Sequence, residues 1–66
     1  MSAKHYDTDG KPWDKPNHIP PIVLLDKGTE EYPPGWYHCD EVEQLHGPFS
    51  TLEEAAIAYN EYMEWL

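Results

Sequence analysis

His38, Cys39 and His46 are the residues whose types could support metal binding or nucleophilic catalysis. A structural zinc site takes four ligands, and the chain has no C-x-x-C or H-x-x-x-H pair to supply them. A Cys/His nucleophile needs its histidine within hydrogen-bond reach, but adjacent residues of a strand point to opposite faces. We therefore expect no metal, no cofactor, a buried Cys39 that fills the core, and exposed histidines.

Carboxylate pairs are the second feature that could do chemistry, because general acid–base catalysis can use two carboxyl groups with different pKa values. The pairs here are adjacent surface glutamates, such as Glu30-Glu31 and Glu53-Glu54. Shifting a carboxyl pKa requires burial, and a chain of 66 residues has little room to enclose a pocket. No phosphate-binding glycine loop or serine elbow is present. The sequence therefore predicts a protein that is not an enzyme.

The net charge of −9 is confined to the second part of the chain. Residues 1–27 contain four lysines and four aspartates, which cancel. Residues 28–66 contain nine carboxylates and no lysine or arginine. Excess charge of one sign opposes compaction but steers association with an oppositely charged partner. The partition therefore favours a protein partner with a basic surface, and it argues against direct binding to nucleic acid or to an anionic membrane.

Size and composition restrict the class of protein further. A chain of 66 residues can hold one small domain, which is marginally stable and gains from a partner or from self-association, for example as a homodimer. A single cysteine excludes an intramolecular disulfide. The sequence lacks the apolar segment of a signal peptide, and no apolar run is long enough to cross a membrane. These features predict a cytoplasmic protein, in the bacterial host cell if a phage encodes it.

The chain divides into an arm and a domain. Residues 1–21 are predicted to be an extended or irregular arm, because four prolines interrupt them. Residues 22–66 are predicted to be one domain with three strands. These are Ile22–Leu25, an aliphatic run between turn residues, then 36–40, where aromatic and polar residues alternate, and then 44–49. The last two form an antiparallel hairpin whose connection lacks a strong two-residue turn signal.

A helix after the third strand has the clearest signals in the chain. Ser50 or Thr51 can cap it, and Glu53 or Glu54 follows three residues later, as in a capping box. Apolar residues then recur along one face, at Leu52, Ala55, Ala56, Tyr59, Met63 and Leu66. We predict that this helix runs to the last residue without a C-cap. The predicted fold is α+β, with a three-stranded antiparallel sheet packed against one C-terminal helix.

Residues 36–60 resemble the hairpin-and-helix units of many small phage and prophage proteins. The resemblance lies in an aromatic strand followed by the pattern Gly-Pro-Phe-x-Thr-x-x-Glu-Ala at residues 47–55. It covers a little over a third of the chain, and its motif marks a junction between strand and helix. The resemblance implies a phage-type accessory protein, and it implies no catalytic residue.

The outward side of the predicted helix combines negative charge with apolar side chains. A rotation of about 100° per residue places six residues on or beside the side opposite the apolar stripe. We refer to them as the acidic helix face: Glu53, Glu54, Ile57, Glu61, Glu64 and Trp65. No lysine or arginine four residues away neutralises these glutamates, whereas a face kept for solubility more often mixes charges. Because aromatic anchors contribute binding energy and charged rims steer association, these six are the candidate partner-binding residues.

Three functions are consistent with this sequence. The leading hypothesis is a small acidic phage-type protein that binds and inhibits or modulates a host protein with a basic surface. Nucleic-acid-handling machinery, such as RNA polymerase, a nuclease or a defence complex, presents surfaces of that kind. The first alternative is a DNA mimic, in which carboxylates replace phosphates. The second alternative is a structural or oligomeric virion or accessory subunit.

Overall fold

The computed structural model describes residues 3–65, which form a four-stranded antiparallel sheet and one helix. The strands are β1 (Ala3–Tyr6), β2 (Ile22–Leu25), β3 (Gly35–Cys39) and β4 (Leu45–Phe49), and the helix is α1 (Leu52–Glu64). The strands lie in the sheet in chain order. The α+β class, the antiparallel sheet and the C-terminal helix are as predicted. The predicted number of strands is wrong, because the sheet has a fourth.

The additional strand, β1, comes from the segment predicted to be an irregular arm. It pairs antiparallel with β2, with Ala3 opposite Leu25 and Tyr6 opposite Ile22. Its first three residues are exposed, so the strand has no apolar alternation that the sequence could reveal. The neighbouring strand β2 is buried and provides the backbone hydrogen-bond partners of β1. The local sequence of β1 does not predict this pairing.

The proline-rich connection from β1 to β2 returns along the outer edge of β1. The backbone N–H of Trp13 donates to the carbonyl of His5 at 2.9 Å. The indole N–H of Trp13 donates to the carbonyls of Lys15 and His18, at 3.0 and 3.2 Å. Trp13 therefore fastens the connection to the sheet and covers part of an edge that would otherwise be open to another strand.

The turn between β3 and β4 is organised by Asp40. Its Oδ1 accepts the backbone N–H groups of Val42 and Gln44, both at 2.9 Å. The N–H of Glu43 donates to the carbonyl of Asp40, and Glu43 itself adopts a φ of 62°. A tight turn followed by a left-handed residue is a common longer hairpin connection. The aspartate side chain thus supplies the turn signal that an Asn-Gly pair would give elsewhere.

The sheet separates two buried clusters. On the helix side, Ile22, Ala55 and Ala56 are buried, and larger side chains such as Phe49 and Tyr59 pack around them. On the other side the buried residues are Val23, Leu25, Tyr37 and Cys39. The two alanines lie where α1 meets the sheet, and their small side chains allow a close approach of the helix backbone.

A bulge in β4 determines which side chains face α1. Trp36 pairs with Phe49 and His38 pairs with His46, so two residues of β4 lie opposite the single residue between Trp36 and His38. The extra residue shifts the alternation of side chains between the two faces of the sheet by one position. His46 and Phe49 therefore both face the helix, although they are three residues apart. Gly47 is required in this bulge, because its φ is 151° and a Cβ there would lie 2.7 Å from the carbonyl oxygen of Trp36.

The two ends of α1 are capped differently from each other. Thr51 is the N-cap, and its Oγ1 accepts the N–H of Glu54 at 3.1 Å. The carboxylate of Glu54 in turn accepts the N–H of Ser50 at 3.1 Å. The helix ends at Glu64, and Trp65 is a C-cap whose N–H donates to the carbonyl of Tyr62. The prediction that the helix runs to the last residue is therefore wrong, and the predicted core residue Leu66 lies outside the described residues.

Candidate functional site

The structure places the acidic helix face at the surface of α1 and its C-cap. All six of its residues are exposed, and the exposed fraction is 52% for Ile57 and 89% for Trp65. Within residues 3–65, Lys4 pairs with Asp26 and the ring of His46 contacts the carboxylate of Asp40, and neither contact includes a glutamate of α1. The described fold therefore neither buries this surface nor neutralises its charge.

Glu54 differs from the other glutamates of the acidic helix face, because its carboxylate takes part in the N-terminal cap. Replacing it would disturb the helix start as well as the surface. Glu53 shares the first turn with it, where a negative charge interacts favourably with the helix dipole. The remaining pair, Glu61 and Glu64, has no such role.

Glu61 and Glu64 lie near the C-terminal end of α1, where the helix dipole favours positive charge. The last turn of α1 contains no basic residue. A carboxylate at this end costs about 0.3–1 kcal/mol at an exposed site relative to a neutral residue. Lysine at these two positions would therefore stabilise the helix more than glutamate does. The stability of the fold does not explain why glutamates occupy them.

The helix-facing side of the sheet holds a pair of stacked histidines, His38 and His46. Their ring centroids are 4.8 Å apart and the rings are inclined by 16°. The Nε2 of His46 lies 3.0 Å from Oδ2 of Asp40. Tyr59 and Tyr62 of α1 pack against the ring of His38, with centroids 6.2 and 5.9 Å away. The bulge in β4 brings the two rings together. In the sequence, only the Gly47-Pro48 pair indicates that bulge.

His38 is buried, with 6% of its surface exposed, which corrects the prediction of exposed histidines. Its Nδ1 is buried and has no hydrogen-bond partner within the described residues. Burial, reinforced by the neighbouring His46, lowers the pKa of His38. The hydrogen bond from His46 is the main cause that lowers the pKa of Asp40. Burial under the helix thus favours the neutral form of His38.

Cys39 lies on the opposite face of the sheet from His38, in the cluster with Val23 and Tyr37. Burial raises the pKa of Cys39 to about 11, and the nearby carboxylates of Asp40 and Glu43 add to the effect. The thiol is protonated at neutral pH and is a poor nucleophile. Within residues 3–65, no three His, Cys, Asp or Glu side chains are grouped so that they could hold a metal ion.

Two of the cavities formed by residues 3–65 lie beside the sheet. A narrow one of about 190 Å³ lies between the C-terminal half of α1, the end of the proline-rich connection and the β3–β4 turn. We refer to it as the tyrosine notch; it is lined by Ile19, Pro20, Pro21, Cys39, Asp40, Glu41, Tyr59, Tyr62 and Met63. The second is a wider, open groove of about 460 Å³ on the opposite face, between the proline-rich connection and the sheet. Neither was foreseen from the sequence, because each is built from segments distant in the chain.

Comparison with protein-family models, with curated proteins and with solved structures gives no match to this chain. No helix of the described part of the chain has the length and hydropathy of a membrane span.

Proposed function

We propose that this chain is a small acidic protein without enzymatic activity that binds a host protein through the acidic helix face and inhibits or modulates it. The observation that carries the proposal is the position of Glu61 and Glu64. They lie at the helix end that disfavours negative charge, beside the exposed Ile57 and Trp65. A binding surface explains both the charge and the exposed apolar side chains.

The charge of this face indicates the kind of partner. A basic protein surface would gain from four glutamates at the rim, both in the rate of encounter and in orientation. Trp65 and Ile57 would supply the apolar contacts, since a few large side chains contribute most of the energy of an interface. Nucleic-acid-handling proteins carry basic surfaces that bind phosphates, which makes them the proposed class of target. The phage-type origin stays a prediction from the resemblance of residues 36–60.

A homodimer through the acidic helix face is disfavoured by the same charges. A two-fold interface places the same patch of both copies together, so glutamates would face glutamates. Like charges brought together in an interface cost several kcal/mol. This argues for a different protein as the partner and against the alternative of an oligomeric subunit built on this face.

DNA mimicry is the alternative function, and the charge density of the acidic helix face argues against it. Glu53 and Glu64 are separated by eleven residues, which corresponds to about 16 Å along a helix. Duplex DNA carries about ten charges over the same length. The face has four carboxylates and an apolar centre at Ile57, which is a poorer imitation of DNA than of an ordinary protein interface.

Affinity capture from bacterial lysate with quantitative mass spectrometry tests this proposal. The variant is Glu61→Lys/Glu64→Lys, which leaves the Thr51–Glu54 cap intact. The control is Glu30→Lys/Glu31→Lys, which makes the same change in charge in the exposed β2–β3 loop. We expect wild type and control to retain the same basic proteins, and the helix variant to recover them at least about tenfold less. Equal recovery by both variants would contradict the proposal.

A further inference from the structure

The tyrosine notch has the dimensions of a site for one side chain. Its volume of about 190 Å³ is below the range of about 300–1,000 Å³ that is usual for sites of small-molecule ligands. Its walls are mainly apolar and aromatic, with Tyr59, Tyr62 and Met63 on one side and Ile19 and Pro20 on the other. An inserted side chain would therefore need a long apolar stem.

Two of the wall residues are more exposed than their type suggests. Met63 is 47% exposed and Ile19 is 39% exposed, although both line a concave apolar surface. A stem lying between them would bury this apolar surface. Met63 also belongs to the predicted apolar stripe of α1, and its exposure shows that the prediction of a core position is wrong there.

Two acidic residues of the β3–β4 turn lie at the notch. Asp40 and Glu41 both line it. The side chain of Asp40 is 10% exposed, and its position is fixed by the N–H groups of Val42 and Gln44 and by His46. Glu41 lines the notch and is exposed.

We propose that the tyrosine notch receives one arginine side chain from a partner protein. The aliphatic stem would lie against Met63 and Ile19, and the guanidinium would reach the carboxylates of Asp40 and Glu41 beside the ring of Tyr62. A planar guanidinium stacks on aromatic rings and forms paired hydrogen bonds with carboxylates, which the compact ammonium of lysine does less well. The chain contains no arginine, so a second copy cannot supply this side chain.

This inference rests on the proposed function for the nature of the partner, but it is tested without that partner. The probes are blocked tripeptides, Ac-Gly-Arg-Gly-NH2 and its citrulline, lysine and leucine counterparts. They are titrated into the full chain, labelled with ¹⁵N and with ¹³C at the methionine methyl groups. We expect the arginine peptide to give saturable shifts at the methyl of Met63 and at the amides of Glu41 and Tyr62. Citrulline, which has the same shape without the charge, should bind at least about fivefold more weakly, since an ionised partner roughly doubles the strength of a hydrogen bond.

A matched pair of variants separates the notch from general charge. Glu41 lines the notch, whereas Glu43 in the same turn lines the groove on the other face of the sheet. Glu41→Gln should weaken binding of the arginine peptide about 1.5- to 5-fold, the range expected of a single exposed ion pair. Glu43→Gln, which removes the same charge, should leave the affinity unchanged.

Three outcomes would overturn the proposal. Equal binding of citrulline or leucine would show a site for an apolar side chain. Equal binding of lysine would show a site for any cation. Equal losses from Glu41→Gln and Glu43→Gln, or shifts centred on Ile57, would place the effect outside the notch. Failure of the lysate capture while the arginine peptide still saturates the notch would contradict only the role of the acidic helix face.

Discussion

The two sides of α1 contrast in what the fold requires of them. The inward side packs two alanines against Ile22 and places Tyr59 and Tyr62 over the ring of His38. The outward side keeps glutamates and Ile57 in solvent, and the two glutamates nearest the C-terminal end oppose the helix dipole. Side chains that do not stabilise the fold are the ones whose presence a binding function best explains. Variants on each side of α1 test this difference.

The largest expected effect is at the inward contact. Ile22→Ala removes a side chain that has no exposed surface and that contacts the buried alanines of α1. We expect the free energy of unfolding to fall by about 2–5 kcal/mol. Ile57→Ala, on the outward side, should change it by less than about 0.5 kcal/mol. Urea unfolding followed by circular dichroism measures both, and similar losses for the two variants would remove the contrast.

The next expected effect is a loss of stability in weak acid that originates in His38. Because the pKa of His38 is lowered by folding, the unfolded chain binds a proton that the folded chain does not. Stability should therefore be greatest above the ordinary value of 6.5 and should fall as the pH drops below it. The charged or titratable groups around this ring are His46, Asp40, Tyr59 and Tyr62.

Unfolding measured from pH 8 to pH 5 tests this expectation. His38→Phe should flatten the dependence, whereas His18→Gln, at an exposed histidine of the β1–β2 connection, should leave it unchanged. The lowered pKa of Asp40 contributes stability that is lost only below its ordinary value of 3.8, so the two effects occupy separate pH ranges. An unchanged slope in His38→Phe would show that another group is responsible.

A smaller effect is expected at the helix start. Thr51→Ala removes the hydroxyl that accepts the N–H of Glu54, and should cost about 1 kcal/mol of stability. Ser50→Ala keeps the backbone N–H that Glu54 binds, and should cost less than about 0.5 kcal/mol. Thermal unfolding of both variants measures the two losses of stability. A larger loss for Ser50→Ala than for Thr51→Ala would show that Ser50 is the N-cap.

The smallest expected effect is a gain in stability on the outward side. Glu61→Gln and Glu64→Gln each remove an unfavourable charge from the C-terminal end of α1. We expect each to add about 0.3–1 kcal/mol at low ionic strength, with less effect in high salt. A fall in melting temperature would mean that these glutamates make native contacts, and it would weaken their assignment to a binding surface.

Local signals in the sequence predicted the parts of the fold that local interactions create. The strand Ile22–Leu25 and the helix start at Leu52 are where the sequence placed them, because an aliphatic run between turns and a Thr51–Glu54 cap determine them within a few residues. The strand Ala3–Tyr6 was not predictable in this way, because its partner lies about twenty residues away in the chain and its side chains are mostly exposed.

The candidate site shows the same division. Exposure of the acidic helix face follows from helical periodicity, so the sequence could list its residues. The burial of His38 depends on the bulge at Gly47-Pro48 and on the docking of α1. The tyrosine notch requires three segments to meet, Ile19–Pro21, the β3–β4 turn and the end of the helix. Features of that kind arise from the tertiary fold, which no pattern in a single segment specifies.

Site-specific photo-cross-linking in bacterial cells tests whether the acidic helix face contacts a basic protein. A photo-reactive residue replaces Ile57 at the centre of the acidic helix face, and in a second protein it replaces Lys27, which is exposed two residues after β2. We expect that position 57 cross-links to a protein with a basic surface, that Glu61→Lys/Glu64→Lys abolishes this product, and that position 27 gives none. Equal cross-linking from both positions, or a product at position 57 that survives the charge reversal, would contradict this expectation.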